Sequence, residues 1–178
     1  MTADFFRFPH TPHLAWQGEG SPRENKVLLF NEATALLTND VVVEEKLDGA
    51  NLGLSLTPDS CLQVQNRGQY LVEPFAGQFA RLPSWLAQHG EALRSVLTHN
   101  LILFGEWCAA RHSLDYVALP DWFLLFDVYD RAAGRFWSTT RRNALASCSG
   151  LVTVPTVIHG KTTVTALKEL VAKKQSHY

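Results

Sequence analysis

Cysteine is scarce in this sequence, and its spacing carries no pattern. Cys61, Cys108 and Cys148 are odd in number, and no two of them stand as C-x-x-C. That excludes a disulfide framework and a zinc ribbon or finger, and it reads as three reduced thiols of a cytoplasmic protein. Excess charge is lacking too. Lys and Arg total 16 against 17 Asp and Glu, a formal net charge of −1, so nucleic acid could be met only through a local patch. Lys161, Lys168, Lys173 and Lys174 are the candidates, and they read more simply as the solvated face of a last helix. No apolar run is long enough to cross a bilayer, and Met1-Thr2-Ala3-Asp4 lacks the basic start of a signal peptide. No export route or membrane partner is implied. Internal repeats, low-complexity tracts and an evident domain boundary are also missing. The remainder is 178 residues, 46% hydrophobic and 19% charged, expected to form one globular domain over 1–178 with a sizeable core.

The pattern along the chain predicts mixed α and β structure. Asp4 to Asn25 is irregular, and Phe5, Phe6, Phe8 and Trp16 are expected to pin it to the domain. A short helix is expected near Glu32 to Leu37. A strand is expected from Val41 with Lys46 at its end, and two more at Leu52 to Leu56 and Leu62 to Gln65, joined by Thr57-Pro58-Asp59-Ser60. Phe75 to His89 has a helical apolar period interrupted by Pro83, which predicts two short helices, with Glu91 to Leu97 continuing the layer. Continuous apolar runs at Leu101 to Trp107 and Trp122 to Asp130 predict buried strands, and Arg135-Phe136-Trp137 pairs back on the second. Ser138 or Thr139 caps a helix to about Ser147. Thr153 to Ile158 is expected as an edge strand because of Pro155. A final helix, Thr163 to Ala172, is expected to face Leu167, Leu170 and Val171 inward.

The chemistry concentrates at Val41-Val42-Val43-Glu44-Glu45-Lys46-Leu47-Asp48-Gly49-Ala50-Asn51. A β-branched strand delivers Lys46 beside three carboxylates, and Gly49 turns the chain into a second apolar run. Lysine attacks only as the free amine, and neighbouring carboxylates hold its proton on unless a divalent metal neutralises them. Two readings follow: an ordinary ion pair, or a nucleophile completed by metal and nucleotide phosphate. Four other places are candidates for chemistry. Arg67 precedes Gly68 at a strand end. Glu106 stands at the tip of a buried strand, where an unpartnered carboxylate is costly; it either pairs with an arginine such as Arg111 or binds a ligand. Phe126 precedes Asp127 in the next strand. His112 lies in the polar loop Ala110 to Tyr116, either as a general base or, more simply, as a hydrogen-bonded structural residue.

Lys46-Leu47-Asp48-Gly49-Ala50-Asn51 has the K-x-D-G-x-N form of motif I of the covalent nucleotidyltransferases. Arg67, Gly105-Glu106 and Phe126-Asp127 follow in the order of that superfamily's motifs Ia, III and IIIa. The chain thus resembles the adenylyltransferase domain of ATP-dependent RNA ligases of the RNA ligase 2 family. The resemblance implies an α+β, antiparallel-sheet nucleotidyltransferase (ATP-grasp-like ligase) adenylation domain. It also implies that Lys46 takes AMP from ATP with Mg2+ present, passes it to an RNA 5′-phosphate, and that a 3′-hydroxyl then seals the strand. By the same resemblance Glu45 and Leu47 flank the adenine, Asn51 and Arg67 contact ribose or phosphate, Glu106 binds ribose or metal, and Phe126 stacks on the base. An E-G-x-V-x-R-like motif IV and a K-x-K motif V have no match here, so the domain is expected to be C-terminally incomplete. The competing readings are a non-catalytic nucleotide- or RNA-end-binding homologue, a DNA ligase or capping-type enzyme, and an unrelated α+β domain with an ion-paired Lys46.

Overall fold

The run Leu101-Ile102-Leu103-Phe104-Gly105-Glu106-Trp107 forms the middle strand of the larger sheet, and its first five residues are fully buried. The structure is a computed structural model, which describes residues 5–18, 20, 27–173 and 175–178. They gather into two compact units. The first contains residues 5–8, Lys46–Val154 and Tyr178; the second contains Pro9–Glu45 and Pro155–His177. Asp4, Glu19 and residues 21–25 of the predicted irregular segment, and Lys174 of the lysine cluster, lie outside the described residues.

The first unit holds β2 (Ala50–Leu56), β3 (Leu62–Gln65), β4 (Tyr70–Leu71), β5 (Leu101–Trp107), β6 (Phe123–Asp130), β7 (Arg135–Phe136) and β8 (Val152–Thr153). Their order is β4-β3-β2-β5-β6-β7, all antiparallel, with β8 added parallel to β6. Alternation assigns the two faces of the sheet. Leu52, Leu54, Leu101, Leu103, Trp107, Phe123, Leu125 and Val128 share one core with Leu82, Trp85 and Leu93 of α2 (Leu82–Val96) and Ala146 of α3 (Thr139–Ser149). Full burial of each large apolar side chain contributes about 1.5–3 kcal/mol. On the opposite face Phe6 stacks on Tyr129 at 3.6 Å between ring centroids, Phe8 meets Phe104 at 5.0 Å, and Phe5 meets Tyr70 at 5.1 Å. The three phenylalanines therefore pin the N-terminal segment as expected. Trp16 does not: it is exposed and packs on His13 within the second unit.

The second unit pairs β1 (Val41–Glu44) with β9 (Thr156–Gly160) antiparallel, alongside α1 (Phe30–Leu37) and α4 (Val164–Ala172). Four sequence expectations change. Pro83 does not interrupt a helix; after a 3-10 turn at Gly77–Phe79 it sits in the first turn of one continuous α2. A missing N–H costs nothing there, because first-turn N–H groups have no partner within the helix. The strand expected over Thr153 to Ile158 is two, β8 and β9, separated at Val154-Pro155 and joining different sheets. Val171 faces solvent, while Leu167 and Leu170 are half-buried. Lys46 stands two residues beyond the end of β1 rather than at its tip.

The register of β5 and β6 slips at one point. Phe104 lies opposite Asp127 and Gly105 opposite Leu125, which leaves Phe126 as an extra residue in β6. Gly105 permits this approach, since a Cβ there would lie 2.4 Å from the Phe123 ring and 2.7 Å from the Leu124 carbonyl oxygen. The second neighbour is backbone and cannot rotate away. Gly105→Ala is expected to cost about 1–3 kcal/mol through overpacking, read as a lowered urea midpoint; an unchanged midpoint would show that the sheet absorbs the methyl group.

Candidate functional site

The candidate site grows from the loop between the end of β1 and the start of β2. Lys46 is exposed, and its Nζ donates to the Leu47 carbonyl at 3.4 Å. Among the described residues Lys46 takes part in no ion pair; Arg111, for one, is paired with Asp115. The next side chain points the other way. Leu47 is 1% exposed and packs with Cys108, Leu124 and Val154, with Tyr116, Phe126 and Tyr178 around them. Only the backbone of Leu47 is left for a ligand.

Asp48 and Gly49 fasten the loop. The Asp48 carboxylate accepts from the Ser113 amide at 2.8 Å, from the Leu114 amide at 3.1 Å and from the Ser113 hydroxyl. The Asp48 amide donates to the Tyr116 hydroxyl. The Gly49 amide donates to Glu106 Oε1 at 2.9 Å. Gly49 must be glycine for a steric reason: a Cβ would sit 2.5 Å from the Trp107 carbonyl oxygen and 3.0 Å from Cys108 Sγ. The loop is thus clamped between the end of β5 and the 110–119 segment.

Electrostatics separate the two carboxylates. Burial pushes the Glu106 carboxyl above its ordinary value, held back by the positive charge of Lys46 and the Gly49 N–H and raised again by Asp48. The Ser113 hydrogen bonds hold the Asp48 carboxyl below its ordinary value. Asp48 is therefore a settled anion, whereas Glu106 gains when a further cation or hydroxyl donor approaches. Asn51 is directly opposite Glu106 on β2, and its Oδ1 is buried without a hydrogen-bond partner. Glu106 Oε2 likewise has no partner among the described residues. An orphaned amide oxygen beside a half-satisfied carboxylate is a place for ligand groups. Arg111, the alternative partner of Glu106, is taken by Asp115 at 3.0 Å. Burial, helped by the Glu106 and Asp48 charges, lifts the Cys108 thiol to about 12.

The remaining predicted residues divide. Phe126 is half-buried in the Leu47 cluster and crosses the Phe8 ring at 5.3 Å and 77°. Arg67 is exposed in the turn between β3 and β4, where Asn66 Oδ1 accepts from the Gly68 and Gln69 amides at 2.8 and 2.9 Å. Gly53 faces Gln65, so this turn lies beyond the same end of the sheet as Asn51 and Glu106. Glu45 belongs to the second unit, where its carboxylate accepts from the Ser176 hydroxyl and, at 2.9 Å, from the His177 amide. His112 is exposed and acts on Glu106 and Asp48 only through its charge. No group of three or more His, Cys, Asp or Glu side chains gathers among the described residues. Ser113, Tyr116 and the buried Arg142 escaped sequence reasoning, because nothing local marks a hydroxyl or cation that acts across 65 or more residues or from a helix to a strand. A second cavity of about 490 Å³ is lined by Trp85, His89, Leu119, Asp121 and Trp122, and Cys108 and Leu119 connect it with the Leu47 cluster. Its His89 and Trp85 are both bound to Asp121.

The raised Glu106 carboxyl fixes the sign of one pH effect. Below its ordinary value of 4.5 the group is neutral in folded and unfolded chains alike. As pH rises through the raised folded value, the folded state must carry a buried charge, and stability falls. Glu106→Gln keeps an acceptor for Gly49 without the charge. Its urea midpoint is expected to exceed that of the wild type near about pH 7 and to converge with it near about pH 4. A variant less stable at both values would refute the buried-charge account.

The RNA ligase family model matches residues 39–177. Among solved structures, a glutamate variant of the Naegleria gruberi RNA ligase with ATP and Mn superposes with a TM-score of 0.61 at 20% identity, covering 84% of this chain and 44% of that one. A lysine variant of the same ligase, also with ATP and Mn, gives 0.59 at 21%, over 80% and 44%. An archaeal ATP-dependent RNA ligase gives 0.57 at 24%, over 76% and 35%. The chain spans less than half the length of these structures. Comparison with curated proteins returned no match. The mixed α+β architecture with antiparallel sheets is that of an RNA ligase nucleotidyltransferase domain, and with most of its length under the family model this chain belongs to the RNA ligase family.

Proposed function

We propose that Lys46 is the nucleophile of ATP-dependent adenylyl transfer and that RNA ends receive the nucleotide. The observation that carries this reading is an exposed lysine outside any ion pair, on a loop held rigid by Asp48 and Gly49, next to a carboxylate kept reluctant to ionise. Structures with the same fold were solved with ATP and Mn, which supports ATP as the donor. The deprotonated Nζ attacks the α-phosphorus; an N–P bond forms, the P–O bond to pyrophosphate breaks, and pyrophosphate leaves. An oxygen of an RNA 5′-phosphate then displaces the lysine, and a 3′-hydroxyl displaces AMP.

Each remaining residue has a task in this scheme. Asn51 Oδ1 accepts from a ribose hydroxyl, Arg67 meets phosphate, the Leu47 backbone borders the base, and Phe126 stacks on it. Glu106 would hold the divalent ion, expected to be magnesium, which when bound supplies positive charge against the phosphates. Glu106 itself already orients the loop through Gly49.

Intact-mass analysis after incubation with ATP and magnesium tests the proposal. One added AMP is expected, released by hydroxylamine as a phosphoramidate should be, and absent in Lys46→Ala. Arg67→Ala is expected to lower the rate of adduct formation by about 10- to 100-fold, on the scale of one lost charge-assisted contact to phosphate. Saturable ATP binding with no adduct would overturn the covalent step and leave a nucleotide-binding module.

A further inference from the structure

We propose that Arg142 is a positioning residue that sets base recognition by locking the Phe126 bulge. This rests on the assignment of Phe126 to the base. Arg142 lies on α3, one turn before the core residue Ala146, and is 2% exposed. A guanidinium buried for packing alone would be a poor choice there, because desolvating a charge is costly. Its contacts point to a task for the cation. Nη1 donates to the Phe126 carbonyl at 2.6 Å, while Nε and Nη2 both donate to Asn143 Oδ1, at 3.0 and 2.7 Å.

The target of that donation is the residue that the β5–β6 register skips. Phe104 faces Asp127 and Gly105 faces Leu125, so Phe126 is without a ladder partner on β5. A bulge frees a peptide group and re-aims its side chain. Left alone, the carbonyl could swing back into the ladder and carry the ring with it. Arg142 holds the carbonyl from the helix side, Gly105 leaves room for β6 on the strand side, and Phe8 crosses the ring itself. Asn143 fixes the plane of the guanidinium. Three groups from distant parts of the sequence thus determine one ring orientation beside Leu47. A preset ring spares the ligand the ordering cost that a mobile one would impose.

The test is a double-mutant cycle on nucleotide binding, with ATP compared against ribose 5-triphosphate, which has no base. Phe126→Ala is expected to weaken ATP about 10-fold and to leave ribose 5-triphosphate unchanged, as for loss of one stacking contact. Arg142→Gln should weaken ATP to a similar extent with the same indifference to the base-free ligand, and should add nothing in the Phe126→Ala background. Arg142→Lys, which keeps a donor and the charge, should recover part of the loss; if the glutamine variant fails to fold, the lysine variant decides. Equal weakening of both ligands by Arg142 substitution, or full additivity with Phe126→Ala, would overturn the positioning role. A Phe126→Ala chain that binds ATP as the wild type does would instead overturn the base assignment, and the inference with it.

Discussion

The hydrogen bond from the Gly49 amide to the Glu106 carboxylate, 2.9 Å long, joins the loop that carries the lysine to the end of the central strand. Everything else at the site depends on it. It requires a residue without a Cβ at position 49, because the chain passes against the Trp107 carbonyl and Cys108. It requires a carboxylate that is buried yet incompletely satisfied, so that one oxygen holds backbone while the other remains for a ligand. It also fixes the start of β2, which brings Asn51 opposite Glu106. The side of the loop away from Glu106 is held by Asp48, whose carboxylate is fully ionised because Ser113 and Leu114 donate to it. Environment alone gives the two acids opposite tendencies: Asp48 is held as an anion, and Glu106 is held back from ionising.

The sheet supplies the platform through packing rather than through special residues. The strands over Leu101–Trp107 and Phe123–Asp130 were legible in the sequence, since the apolar runs Leu101 to Phe104 and Trp122 to Phe126 have few other uses. The α3 cap at Ser138 was legible for a local reason: its hydroxyl needs only the amide three residues on. Pro83 was misread because proline is equally suited to ending one helix and beginning another, and the choice depends on Leu82 and Trp85 finding the core. Thr153 to Ile158 was read as one strand because its composition is uniform. Its division between two sheets comes from where each half finds a partner, which no local pattern records.

The same contrast governs the site. Lys46, Asp48, Gly49 and Asn51 are neighbours in sequence, so their joint chemistry could be read from spacing. Glu106 and Phe126 stood out as polar or aromatic residues at the ends of apolar runs. The groups that bind Asp48 and the Phe126 backbone, Ser113 and Tyr116 for the first and Arg142 for the second, could not stand out, because a serine, a tyrosine or an arginine in a loop or helix has a solvated role by default. The bulge that singles out Phe126 is a property of two strands at once and is invisible in either. Interactions over long sequence separation are settled only when the chain has folded.

Cys108 gives this arrangement a built-in chemical reporter. Its thiol lies under Leu47 and against Gly49, and burial beside two carboxylates lifts it to about 12. At neutral pH it is therefore an unreactive thiol, whereas Cys61 and Cys148 are exposed. Any excursion that lifts the lysine loop away from β5 uncovers that sulfur and brings it toward water. The rate at which Cys108 takes up an alkylating reagent, set against the two exposed thiols, is thus a clock for the opening of the loop.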